Sequence, residues 1–122
     1  YSWPDALAKA KKADEVLRTR LADVKLQFDE IRTEFLGYNS SQGRIAPPIA
    51  DPNEVVLRVG VRSQSYEVVE RFGKEIAPLI LTGPPSVTGF AGGRPKPSEV
   101  ISYWPALMPK KAINPEVIMM EL

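Results

Sequence analysis

The residues best suited to chemistry lie together in one stretch. Thr82 to Pro97 reads TGPPSVTGFAGGRPKP and holds four glycines and four prolines in sixteen residues. Glycines let a backbone enter conformations closed to other residues and let a ligand approach its amides, while prolines stiffen what surrounds them. Arg94 adds a planar guanidinium fork suited to a carboxylate or phosphate, and Lys96 adds a second positive charge two residues later. Ser86 and Thr88 contribute hydroxyls. The candidate ligand contacts are therefore Arg94, Lys96, Gly89, Gly92, Gly93 and Thr88, and the ligand class is an anion or an acyl thioester. A rigid connector wrapped around a sheet edge, its glycines serving turns, is the competing reading.

The stretch matches no standard phosphate motif. It lacks the Gly-Lys-Ser/Thr ending of a Walker loop, and Gly89-Phe90-Ala91-Gly92 is not a dinucleotide fingerprint. A GxxG with basic neighbours suggests the clamp of KH domains, but that motif joins two helices and here a strand is expected to follow. Phe90, Tyr103 and Trp104 offer either an apolar wall for a ligand or ordinary core packing, and the second reading is favoured. Met108, Met119 and Met120 read as gap-filling core or interface side chains.

What is absent narrows the chemistry further. The chain has no cysteine and no histidine, which excludes thiolate zinc sites, cysteine nucleophiles, Ser-His-Asp triads and histidine-ligated metals within it. The acids Asp29, Glu30, Glu34, Asp51, Glu54, Glu67, Glu70, Glu75 and Glu99 are scattered, and none forms the isolated pair of a tuned acid/base couple or a carboxylate metal site. Sixteen basic against fifteen acidic residues leave a net charge of +1, too little to draw in nucleic acid or an anionic membrane. No apolar run approaches the roughly 18–20 residues needed to span a bilayer. The absence of cysteine fits a reducing cytoplasm.

At 122 residues, 43% hydrophobic and 25% charged, the chain has the size and composition of one folded domain. Ser2-Trp3-Pro4-Asp5 reads as a helix start, and Ala6, Ala10, Ala13, Leu17, Leu21 and Val24 recur on one helical face that ends near Leu26. Asp5 with Lys9 and Asp14 with Arg18 are acid-before-base pairs one turn apart. The cluster Lys9, Lys11, Lys12 reads as a solvated face. Phe28 to Tyr38 reads as a strand, and Asn39 to Asn53 as a loop. Val55 to Val61 alternates apolar and polar residues, the pattern of a half-buried strand. Ser63 or Ser65 then caps a second helix with the apolar stripe Val69, Phe72, Ile76 and Leu79/Ile80, and Pro78 kinks or ends it. Short strands are expected over Glu99 to Trp104 and Glu116 to Leu122.

The expected order is α-β-β-α-β-β. It implies an α+β fold in which two helices pack on a four-stranded sheet, as a ferredoxin-like split sandwich completed by a preceding part if one exists. Residues 1–122 would then be a single α/β domain or the C-terminal piece of a larger protein. Open strand edges imply association with the remainder of that protein, a second chain or another copy.

Three segments carry a family resemblance: VVLRVGVRS from Val55, VVERFGKEIAPLILTGPP from Val68, and above all VTGFAGGRPKPSEVISYWPALMPK from Val87. From Glu54 onward the chain resembles the C-terminal section of the acyclic terpene utilisation (AtuA-type) family. FDEIRTEFLGYNS, from Phe28, has a similar strand-and-turn character. The resemblance implies a role in breaking down citronellol- and geraniol-type isoprenoids and related branched acids through acyl-CoA steps. It also implies that the reactive residues lie mostly outside this chain. No established catalytic residue of the family maps onto these positions, and the resemblance leaves the cofactor unknown. The alternative is a structural interaction domain that completes a sheet or an oligomer interface and has no ligand of its own.

Overall fold

Small residues on one face let a helix lie close against a sheet, and α1 is built that way. It runs Ala6–Asp23, with Ala6, Ala10, Ala13, Leu17 and Leu21 buried along one stripe. The computed structural model describes residues 1–47, 49–89, 92–93 and 95–120. The helix start differs from the expected cap. Asp5 sits in the left-handed region at φ 60° and makes no side-chain capping bond, while Ser2 forms a β-bridge with Glu54. Val24 lies past the helix end and is exposed.

Strands β1 (Glu30–Leu36) and β2 (Val56–Arg62) pair antiparallel, from Glu30 opposite Arg62 to Leu36 opposite Val56. Alternation decides which face is covered. Leu57, Val59 and Val61 are half-buried toward the helices, while Val56, Arg58, Gly60 and Arg62 face out. The outward face carries cross-strand ion pairs, Arg58 to Glu34 at 2.6 Å and Arg62 to Glu30 at 3.6 Å.

Helix α2 (Tyr66–Ile76) begins at Ser65, whose Oγ accepts from the Val68 amide at 3.4 Å and donates to Glu67 at 2.7 Å. That hydroxyl contact holds the Glu67 carboxyl below its ordinary value. The helix stops before Pro78, and a single further turn, α3 (Leu79–Thr82), follows.

One core cluster joins Leu17 and Leu21 of α1 to Phe72 and Leu79, with Phe28 edge-on to Phe72 at 5.8 Å between ring centres. A second joins Ala6, Ala10 and Val55 beneath Phe35 and Leu57.

The four-stranded ferredoxin-like sheet is not what forms. Two helices cover a two-stranded antiparallel sheet, so the α+β character stands while the strand count is overturned. Glu99 to Trp104 pairs with nothing and lies exposed, and the described part of Glu116 to Leu122 does likewise; Glu121 and Leu122 lie outside the described residues. Strand-forming side chains fix a strand only when a neighbouring edge receives them, and here none does. Tyr103 is 89% and Trp104 88% exposed, so core packing is also corrected for these two and for Met108, Met119 and Met120. Phe90 lies outside the described residues.

Candidate functional site

The outer edge of β2 opens into a groove of about 590 Å³. Its floor is β2 itself, from Val56 through Val59, together with Leu17 from α1. Ile76 at the end of α2 and Leu79 and Ile80 of α3 make one wall. The opposite wall is the Gly/Pro loop, through Val87, Thr88, Gly89, Gly93 and Pro95. Tyr1 also lines it, and burial raises the pKa of its phenol above the ordinary value. Most of these side chains are apolar, as expected of a cavity that receives a hydrocarbon chain.

Two anchors hold the loop over the sheet. At its start, the Ser2 amide donates to the Ser86 carbonyl at 3.3 Å, and Lys9 Nζ donates to Ser86 Oγ at 3.2 Å and to the Ser2 carbonyl at 3.3 Å. The expected Asp5–Lys9 pair is thus replaced by a bridge from α1 to the loop, whereas Asp14–Arg18 forms at 2.9 Å. At its far end the loop lies against the buried Gly73 of α2, where an added Cβ would meet the Pro95 carbonyl at 3.0 Å. A side chain here would force the loop backbone to give by a few tenths of an ångström, which glycine avoids. Between the anchors, Gly89, Gly92 and Gly93 hold φ of 137°, 82° and 75°, so the loop path itself requires glycine.

The candidate contacts divide. Thr88, Gly89 and Gly93 line the groove, Gly92 and Lys96 are exposed and do not, and Arg94 lies outside the described residues. The cationic side chain that the structure places on the groove is Arg58, which is held by Glu34 through Nε at 2.7 Å. Sequence reasoning passed over it as one polar position of an alternating strand, and only the cross-strand partner distinguishes it. Glu75 was likewise among the scattered acids. It is buried between the helices and paired with Arg71 at 2.8 Å and Arg20 at 3.0 Å, a structural clamp away from the groove. No group of three or more acids that could hold a metal ion occurs among the described residues, and no described helix is long and apolar enough to cross a membrane.

What this arrangement can do is bind: an apolar trough, a stiff glycine-lined wall and a cation at the rim orient a molecule with an apolar and a polar end. No curated protein and no solved structure matches the chain. The family model described as acyclic terpene utilisation family protein AtuA matches residues 1–119. With nearly the whole length covered, including the loop, both helices and both strands, the chain belongs to the acyclic terpene utilisation family AtuA.

Proposed function

We propose that this chain serves acyclic terpene utilisation by receiving the hydrocarbon part of an isoprenoid or branched acyl-CoA substrate in the β2 groove. The Gly/Pro loop meets the anionic or thioester end. The observation that carries this reading is the groove itself: its volume falls within the range of small-molecule sites, and its lining is mostly apolar. Gly89 and Gly93 supply a wall without side chains, through which backbone amides can approach a carbonyl or carboxylate. Arg94 and Lys96 give the loop its positive charge in sequence. Lacking histidine and cysteine, the chain is assigned a binding role in this reading rather than a catalytic one.

Calorimetric titration with a series of acyl-CoA thioesters tests the reading. Each methylene buried contributes about 0.8 kcal/mol, so affinity should tighten steadily from acetyl to geranyl-type chains. Arg94→Lys keeps the charge but loses the bidentate fork, and should weaken binding without moving the melting temperature. An affinity that does not depend on acyl length would sink the groove as the hydrocarbon site.

A further inference from the structure

The chain exposes far more surface than a molecule of its size should. A compact monomer of 13.5 kDa has roughly 6,500 Å² of accessible surface, and this one has 10277 Å². Much of the excess of roughly 3,700 Å² lies in one place, the arm from residue 98 to residue 120. Ile101 is 90% exposed, Trp104 88% and Leu107 fully so. Monomers seldom expose contiguous apolar patches beyond a few hundred Å². An apolar arm of this kind is half of an interface.

The other half is on the same chain. Among the described residues β2 pairs only with β1, so its outer edge is open along Val56 to Val59, where it floors the groove. That edge already accepts an antiparallel partner one step further along. Tyr1 and Val55 exchange two backbone hydrogen bonds at 2.9 Å, and the Trp3 amide donates to the Asn53 carbonyl at 2.7 Å. The arm leaves from the groove's rim just after Pro95 and runs outward, with Val100, Ile101, Tyr103 and Trp104 forming a segment of strand-forming side chains before Pro105.

We infer that the arm of one copy docks on a second copy of this chain, adding a strand along its open β2 edge and roofing its groove. Donor and acceptor occur on every copy, so when each arm of a pair docks on the other, the exchange closes as a two-fold dimer. The excess surface of the two chains exceeds the 2,000–5,000 Å² or so that obligate dimers bury, so part of the arm suffices. A net charge of +1 per chain raises no barrier to pairing. Main-chain bonds to the edge give affinity, and Val100 and Trp104, which share one face of an extended strand, give register as they pack over the apolar trough. The inference stands on surface and edge geometry and does not require that the groove bind an acyl chain. The two readings fail in different measurements, mass in one case and ligand titration in the other.

The cysteine-free sequence permits a direct test. Chains carrying Trp104→Cys and chains carrying Val56→Cys are mixed at micromolar concentration under mild oxidation, beside light-scattering masses of the unmodified protein. The expected results are a doubled mass and a disulfide joining the two different chains. The chain with Val100→Ser and Trp104→Ser should then run at the monomer mass with an unchanged circular dichroism spectrum, because both side chains are exposed in the single chain. Three results would overturn the proposal: a monomer throughout, a dimer that survives the double substitution, or a dimer in which no disulfide joins the two different chains.

Discussion

Single residues in this protein matter most where backbone shape depends on them. Gly93 sits at φ 75° in the wall of the groove with open space where a Cβ would project. The cost of Gly93→Ala is therefore conformational, about 1–2 kcal/mol for holding an L-residue in the left-handed region. A chemical denaturation curve should show that loss, together with weaker acyl-CoA binding if the wall shifts. Glu75 makes the opposite case, since its value lies in charge. It is 5% exposed and bonded to two arginines, and Arg20 Nε already lacks a hydrogen-bond partner. Glu75→Gln keeps the shape but leaves two guanidinium groups facing a neutral amide. Stability should fall by about 1–3 kcal/mol, moderated because both arginines reach solvent. Thermal melting checks this, and the groove, which Glu75 does not line, should bind as before.

At the scale of the element, α2 serves both core and loop. Its apolar side holds Phe72, buried against Leu17, Leu21 and Phe28. Phe72→Ala should cost about 3–5 kcal/mol, whereas Lys74→Ala, which removes a surface pair with Glu70 at 3.2 Å, should cost little. Urea unfolding of the two variants gives the comparison, and similar losses would mean that the helix is phased differently. Gly73 sits beside Phe72 and carries the loop. A methyl there meets backbone rather than a flexible side chain, so Gly73→Ala should displace Pro95 and widen the groove. Backbone amide shifts at residues 86–97 that exceed those in β1 would be the nuclear magnetic resonance signature. The helices and strands were legible in sequence because each carries its own period: the alanine stripe of α1, the alternation of β2, and the Ser65 and Pro78 that bound α2. The start of α1 was not legible. A hydroxyl, a proline and an acid in a row describe a cap, but Ser2 was drawn instead into a bridge with Glu54, fifty-two positions away.

At the scale of the whole molecule, the compact body ends near Pro97, and residues 98–120 are exposed and stand apart from it. Trypsin at low protein concentration should therefore cut first at Lys110 and Lys111, both exposed on the arm, and leave the body intact. Higher protein concentration should slow that cut if the arm is taken up by a second copy. Size-resolved digestion at two concentrations reads both effects. Local sequence determined the helical faces, the two strands and the glycine requirement of the loop, because propensity, periodicity and φ restriction act over a few residues. It also placed the chain beside its family. Tertiary structure alone decided that the sheet stops at two strands, that Thr88, Gly89 and Gly93 face an apolar groove while Gly92 and Lys96 do not, and that Arg58 stands on the groove's rim. The physical reason is the same in each case. A strand needs an edge and a groove needs opposing walls, and both are supplied by residues distant in sequence, whose approach no local pattern encodes.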